Sequence, residues 1–287
     1  MEDVIYTEDL SKVYGKTKVV DSLSLHIPRG SIYGFIGPNG SGKSTTMKMI
    51  LGLTRPTSGK VFLGCNYRAI GSMIESPPGY AHLTGWENLK ILQHMLDLKE
   101  KDIQRALSLV RLNNQRDKLV KEYSLGMKQR LGIAYALARN PEVLILDEPT
   151  NGLDPAGIEE IRQLLIELST QGISIMVSSH LLDEINKMAT HLGIIAGGKL
   201  LFEGTKKQLF GASTPDLLIS CSDPATAQAI VGGEIHQDVL RLSGVSLENA
   251  AVINRRLSEC VDVYELRRAT QSLEDVFISL TGEAVLQ

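Results

Sequence analysis

Apolar and polar residues alternate over Val4 to Tyr6 and Val19 to Ile27, and an apolar run, Ile32 to Ile36, leads into a glycine-rich loop. Period-two alternation and short apolar runs predict β-strands, so the chain opens β-rich. A helix is predicted from Lys43 to about Leu51, then a turn at Arg55-Pro56-Thr57-Ser58-Gly59 and a short strand over Val61 to Leu63. Between residues 84 and 139 the pattern turns helical. Thr84 and Glu87 stand three apart as a capping box, and Leu89, Leu92 and Leu96 share one face of the helix behind them. Strand patterns return at Val143 to Leu146 and Ile173 to Val177, separated by a helix from about Pro155 to Ser169 and closed by Gln171-Gly172. Strands alternating with helices predict a parallel sheet with crossovers. Past about Gly211 short strand-like runs, Leu217 to Ser220, Val239 to Leu242 and Val261 to Leu266, alternate with helical ones. The last helix repeats apolar residues at Leu273, Val276, Phe277 and Leu280, a core-packing pattern. The expected class is α/β: a β-rich N-terminal lobe, a mainly parallel core sheet and a helical insert at about 84–139 make up residues 1–210, and 211–287 form a small C-terminal α+β domain.

A length of 287 residues suits one large domain with a small companion. Thirty basic residues against 33 acidic ones give a net charge of −3, without the basic excess of a duplex-DNA binder, and no nucleic-acid partner is expected. The 43% hydrophobic and 22% charged shares exclude a disordered or collagen-like chain. Cys65, Cys221 and Cys260 are odd in number and far apart, which speaks against a disulfide frame and a structural zinc site. The opening MEDVIYTEDL is acidic and lacks the basic start and apolar run of a signal peptide, and no apolar stretch approaches the roughly 18 residues of a membrane span. A cytoplasmic chain is expected, and any membrane role needs a partner that supplies the spans.

Gly37-Pro38-Asn39-Gly40-Ser41-Gly42-Lys43-Ser44-Thr45 fits GxxxxGK[ST] and sits where the mechanism requires, after an apolar strand and before a helix. The glycines let backbone N–H groups point inward around phosphate oxygens, and the helix start adds its positive dipole end. Lys43 adds a full charge and Ser44 offers a hydroxyl to Mg²⁺. The chemistry indicated is nucleoside triphosphate binding. Val143-Leu144-Ile145-Leu146 reads as a buried parallel strand with Asp147 and Glu148 at its carboxyl end, where open α/β sheets bind ligands. Asp147 is expected to hold Mg²⁺ through water. Glu148, turned the other way by the strand's period of two, is placed to orient or deprotonate an attacking water.

At these residues the sequence resembles the ATP-binding cassette ATPases, over about its first 210 residues. The resemblance implies a P-loop NTPase cassette and adds further sites. Tyr14, in Lys12-Val13-Tyr14-Gly15, resembles the aromatic that stacks on adenine; the same residue also reads as a strand-end tyrosine packed on the sheet. Asn151-Gly152-Leu153-Asp154 looks like the loop through which two ATPase protomers communicate, and it is at the same time a turn by composition. His180 resembles the switch histidine that contacts the γ-phosphate and holds Glu148 and water in place. Tyr123-Ser124-Leu125-Gly126-Met127-Lys128-Gln129-Arg130 resembles the family signature LSGGQ-x-Q-R. Ser124 and Gly126 are kept, whereas Tyr123, Leu125 and Met127 replace leucine, glycine and glutamine. Ser124 is placed to cap the following helix, so that its N–H groups could face ATP held by the opposite subunit. Ile74-Glu75-Ser76-Pro77 departs from the pattern, with Glu75 where most members place a glutamine that contacts Mg²⁺ and water. A carboxylate there would tighten the metal and repel the γ-phosphate.

Glu75, the SLGMKQR form of the signature, and the tail Ser272-Leu273-Glu274-Asp275-Val276-Phe277 together resemble the ATPases of bacitracin and lantibiotic immunity exporters, a tail shared with drug-export ATPases. The resemblance implies an ATPase that uses ATP and Mg²⁺, pairs head to tail as a homodimer or heterodimer, and powers a separately encoded membrane permease at the inner face of the membrane. Docking is implied near Tyr80, Leu83 and Trp86, which also read as a small apolar cluster under a loop. Three rivals are weighed. A soluble ribosome or DNA factor would carry two cassettes or an internal coiled coil, and neither is present. A P-loop kinase fits poorly with Glu148 directly after Asp147. A slow regulatory clamp draws support from Glu75 and the altered signature.

Overall fold

The computed structural model describes residues 2–75, 79–211, 216–269 and 273–285. Ser76, Pro77 and Ser272 lie outside them. The first sheet is antiparallel. Its strand β1 (Asp3–Tyr14) pairs with β2 (Thr17–Leu23) through Leu10↔Leu23 and Tyr14↔Thr17, and with β3 (His26–Pro28) through Asp3↔Pro28 and Tyr6↔His26. The single strand expected over Val19 to Ile27 is therefore two. Buried Thr7 explains the break. Its hydroxyl donates to the Leu23 carbonyl at 2.8 Å and accepts the Leu25 N–H at 3.1 Å, replacing ladder bonds where the chain steps from β2 to β3. After β4 (Ile32–Ile36) and α1 (Lys43–Ile50), β5 (Ser58–Leu63) pairs with the other edge of β1, Ile5↔Leu63.

The chain continues through β6 (Ile70–Met73), α2 (Gly85–Leu96), α3 (Glu100–Leu109), α4 (Leu125–Leu137), β7 (Val143–Leu146), α5 (Pro155–Thr170) and β8 (Ser174–Ser179). Then come α6 (Leu182–Met188), β9 (His191–Ala196), β10 (Lys199–Thr205) and α7 (Lys206–Gly211). Six strands form the core sheet in the order β10-β9-β4-β8-β7-β6, parallel except for β10. β4, β7 and β8 are buried at every position, and β4 and β7 accordingly read as apolar runs rather than alternation, whereas β8 also buries Ser174, Ser178 and Ser179. Phe35, Met47, Ile145, Met176 and Ile195 share one core with Val4, Leu23 and Ile27 of the first sheet. Each such side chain contributes roughly 1.5–3 kcal/mol by leaving water. The insert is helical as expected. Thr84 Oγ1 accepts the Glu87 N–H at 3.1 Å and Glu87 Oε2 accepts the Thr84 N–H at 2.8 Å, the reciprocal cap predicted from their spacing.

Two compact units are present: Met1–Lys206 with Leu280–Gln287, and Lys207–Ser279. The second holds β11 (Leu217–Cys221), α8 (Pro224–Val231), β12 (Glu234–His236), β13 (Val239–Leu242), α9 (Leu247–Ser258) and β14 (Val263–Arg268). Its antiparallel order β12-β13-β11-β14 on a βαββαβ chain is the ferredoxin-like arrangement. Ala227, Ala250 and Leu257 of the two helices close over Leu217, Ile219, Leu240 and Leu242 of the sheet. The final helix α10 (Leu273–Val285) buries Leu273 and Val276. Among the described residues no helix is long and apolar enough to cross a membrane.

Candidate active site

Gly37 to Gly42 connect β4 to α1, and Lys43, Ser44 and Thr45 form the first turn of that helix. Gly40 at φ 81° and Gly42 at φ 104° occupy left-handed backbone that a side chain would resist. Gly37 meets a steric limit instead, since a Cβ there would stand 2.4 Å from the Ile195 carbonyl oxygen. A glycine loop closing on a helix start is a ready anion site. Pro38 contributes a carbonyl. Lys43, almost fully buried, sends Nζ to the Gly37 and Pro38 carbonyls at 2.7 and 3.2 Å. Burial lowers its pKa from the ordinary 10.5, and Glu148 and Asp147 pull it back up. Ser41 Oγ is buried and finds no hydrogen-bond partner among the described residues, the kind of unsatisfied group that a bound phosphate completes. Asn39, Gly40, Gly42, Lys43, Ser44, Thr45 and Glu148 line a cavity of 160 Å³.

Asp147 and Glu148 leave the end of β7 beside β8, in register Leu146↔Val177. The period of two puts Ser178 and His180 on one side of the β8 chain, and both reach the carboxylate pair. His180 Nδ1 lies 2.6 Å from Glu148 Oε2. Ser178 Oγ donates to Asp147 Oδ1 at 2.6 Å and accepts the Glu148 N–H at 2.9 Å. Glu148 sits at φ 48°, a left-handed conformation that costs a non-glycine residue roughly 1–2 kcal/mol. Backbone strain of this kind persists where surrounding bonds over-determine it, typically at functional sites.

A second cavity, 410 Å³, is lined by Ser44, Glu75, Leu125, Gln129, Asp147, Glu148 and Asn151. The hydroxyl of Ser44 and the carboxylate of Asp147 are a sparse oxygen set of the sort Mg²⁺ uses when phosphates and water complete its shell. Glu75, also left-handed at φ 67°, accepts a hydrogen bond from Lys48 Nζ at 2.5 Å. The ion pair spans two segments of chain, so the sequence held no sign of it.

Ser124 caps α4, accepting the Met127 N–H at 3.2 Å, and Asp154 caps α5, accepting the Gly157 N–H at 2.9 Å. These two and Gly126 line a third cavity, of 370 Å³, that none of residues 37–45 joins. Within one chain, then, Ser124 and Gly126 meet the Asn151-to-Asp154 loop in a cavity that the glycine loop does not line, whereas Leu125 and Gln129 share the second cavity with Ser44. Tyr14 ends β1 half exposed, with Lys12 Nζ 4.9 Å from its ring centre. Tyr80 is exposed, Leu83 is half-buried, and Trp86 lies between Lys90 Nζ at 5.5 Å and Arg116 Cζ at 5.1 Å. Sequence reasoning missed Ser178 and Lys48, and read Gln129 only as part of the signature stretch. Of the two missed, only Ser178 carried a signal, as a small polar residue at the end of an apolar strand, two positions before His180.

The ABC transporter family matches residues 20–151. The bacitracin transport ATP-binding protein BcrA of Bacillus licheniformis is 42% identical over 301 aligned positions, covering 98% of each chain. The lantibiotic transport ATP-binding protein SrtF of Streptococcus pyogenes is 46% identical over 202 positions, 68% of this chain and 88% of its own. Among solved structures, cbiO1 from Clostridium perfringens, part of the ABC transporter complex cbiONQ, superposes with TM-score 0.67 at 28% identity, covering 74% of this chain and 92% of its own. With its glycine loop, its Asp147-Glu148 pair and relatives of this likeness, the chain belongs to the ABC transporter family as an ATP-binding subunit and ATPase.

Proposed function

We propose that this subunit hydrolyses Mg-ATP in a head-to-tail pair and drives a separate membrane permease that exports a peptide antibiotic, lantibiotic or related drug. The observation that carries the chemistry is the Glu148 carboxylate, 2.6 Å from His180 and lining the same cavity as Lys43 and Ser44. Residues 37–45 bind the triphosphate, with Lys43 exchanging its carbonyl partners for phosphate oxygens. Glu148 takes the proton of the attacking water as its oxygen bonds the γ-phosphorus and the bond to ADP breaks, while His180 holds Glu148 in place. Mg²⁺, held by Ser44 and Asp147, supplies charge neutralisation of the phosphates when bound. Pairing is supported by the separation of Ser124 and Gly126 from the glycine loop within one chain, which leaves them free to face the nucleotide of a second copy or a related subunit. Tyr14 serves the adenine and Asp154 the contact between protomers. Export is supported by what the relatives are named for, bacitracin and lantibiotic transport. The subunit then works at the inner face of the membrane through its permease, and residues 211–287 act as an accessory domain.

Phosphate release from Mg-ATP by the parent and by Glu148→Gln tests the reading, with sizing in ATP. Turnover in the parent, and loss of turnover with a persistent dimer in Glu148→Gln, is the expected result. Equal turnover in both would overturn the role of Glu148. For the cargo, co-expression with its permease should raise tolerance to bacitracin or a lantibiotic, and unchanged tolerance to both would sink the export assignment.

A further inference from the structure

We infer that Ser178 is a positioning residue for ATP hydrolysis: its hydroxyl pins the peptide between Asp147 and Glu148 and fixes both carboxylates relative to the glycine loop. The inference rests on the proposed roles of Asp147 and Glu148 in metal binding and hydrolysis. Ser178 is fully buried, and its oxygen serves in both directions, donating to Asp147 Oδ1 at 2.6 Å and accepting the Glu148 N–H at 2.9 Å. A hydroxyl is the smallest side-chain group able to do both at once. The two bonds act on different things. The first sets the rotation of the Asp147 carboxylate and leaves its second oxygen for the cavity that Ser44 also lines. The second supplies a partner to the backbone N–H of a residue held at φ 48°, where the chain leaves β7 and the regular ladder no longer provides one. His180, two residues on from Ser178, holds the far end of Glu148 at Oε2. The end of β8 and the residue just beyond it therefore grip Glu148 at both its backbone and its carboxylate.

The arrangement separates binding from chemistry. Lys43, Ser41 and the glycines are reached by neither Ser178 bond, so loss of the hydroxyl should leave ATP capture intact and impair the step that needs Glu148 aligned. Ser178→Ala is expected to lower kcat by about 10–100-fold, the usual effect of removing an outer-shell partner. Metal-free ATP affinity should stay within about twofold, while the gain in affinity on adding Mg²⁺ should shrink severalfold. Ser178→Thr keeps the hydroxyl on a β-branched residue that suits a strand, and should retain kcat within about threefold of the parent. Should Ser178→Ala not fold, Ser178→Cys, similar in size with a weak donor, is read in the same way. Unchanged kcat and Mg²⁺ gain in Ser178→Ala would overturn the inference, as would equal losses in the Ala and Thr variants accompanied by weakened metal-free ATP binding, which is the pattern of a packing residue. Glu148→Gln run alongside separates the two failures: if it is inactive while Ser178→Ala is normal, only the role of Ser178 falls, and if it is fully active the site assignment itself is wrong.

Discussion

Lys48 and Glu75 form an ion pair at 2.5 Å that joins helix α1 to the loop behind β6. The hydrogen bond that Lys48 donates to Glu75 is the main cause that raises the Lys48 pKa above its ordinary 10.5, with burial opposing it. A glutamine at position 75 would need no such cation. The lysine therefore offsets the extra negative charge that Glu75 brings to the Ser44 and Asp147 cavity. Both side chains keep solvent access, so the effect is that of a screened pair, about 0.2–1 kcal/mol. Lys48→Met should weaken Mg-ATP binding by about two- to fivefold, and adding Glu75→Gln should restore most of it. Nucleotide titration of the parent, both single variants and the double variant checks this. Equal affinities in Lys48→Met with and without Glu75→Gln would show that the pair is a surface contact without influence on the site. Glu75→Gln alone should also shift the relative turnover with Mg²⁺ and Mn²⁺.

His180 holds Glu148 through the hydrogen bond at Oε2 and, in the proposed mechanism, transfers no proton to or from the reacting groups. His180→Ala should reduce turnover by about 10–100-fold, a smaller loss than for Glu148→Gln, because the carboxylate remains and only its placement suffers. ATP affinity should change little. If His180→Ala is as inactive as Glu148→Gln, His180 has a direct part in the reaction and does more than hold the carboxylate in place.

How far the sequence could be read depended on the separation of the interacting residues. The cap between Thr84 and Glu87 lies within one helical turn and was legible from spacing alone, and that of Ser124 from the serine kept in the signature stretch at a helix start. The buried strands Ile32 to Ile36 and Val143 to Leu146 were legible because burial on both faces leaves an unbroken apolar run. Short β6 escaped, since its four residues include Gly71, whose place is dictated by a helix: a Cβ there would stand 2.1 Å from the Ala136 carbonyl oxygen. The hairpin of β9 and β10 did carry a mark, Gly197-Gly198 between apolar runs, which sequence reasoning missed. The split of β2 from β3 depends on one buried threonine hydroxyl, which no periodicity reports. At the site, residue types identified the glycine loop and the carboxylates. The bonds of Ser178, reaching back 30 and 31 residues, and of Lys48, reaching forward 27, exist only once the sheet is assembled.

Arg162 on α5 and Glu184 on α6 form a largely buried pair at 2.6 Å, to which Lys187 adds a bond at 3.0 Å. Burial pushes the Glu184 pKa up, but the bonds from Lys187 and Arg162 together outweigh it, and the net shift is below the ordinary 4.5. A depressed folded-state pKa contributes stability that is complete above about pH 4.5 and is lost as pH falls through the folded value. Glu184→Gln should therefore destabilise the protein at pH 7 by about 1–3 kcal/mol, because it removes the buried negative charge that Arg162 and Lys187 bond to, and the difference from the parent should narrow below about pH 4.5. Urea unfolding at pH 7, 5 and 4 measures it. A difference that is constant over that range would mean that the variant acts through packing rather than charge.

Asn88 is fully buried and uses its amide completely. Oδ1 accepts the Tyr80 N–H at 2.7 Å and the Tyr135 hydroxyl at 2.9 Å, and Nδ2 donates to the Tyr80 and Thr84 carbonyls at 3.1 and 2.8 Å. It thus ties the segment that exposes Tyr80 to helices α2 and α4. Burial, with a lesser contribution from Tyr80, pushes the Tyr135 pKa up to about 12, so Tyr135 remains a donor throughout the range in which the protein is handled. Asn88→Ala removes partners from four groups and should cost about 2–4 kcal/mol, lowering Tm by roughly 5–12 °C. Tyr135→Phe removes one bond and should cost about 1 kcal/mol. Because the two residues share that bond, the double variant should cost less than the sum of the singles. Thermal unfolding of the three variants decides the matter, and ATP affinity should be unchanged in each. A loss in Asn88→Ala no larger than in Tyr135→Phe would mean that water replaces the amide at the Tyr80 segment, and that this surface is held by the Thr84 and Glu87 cap alone.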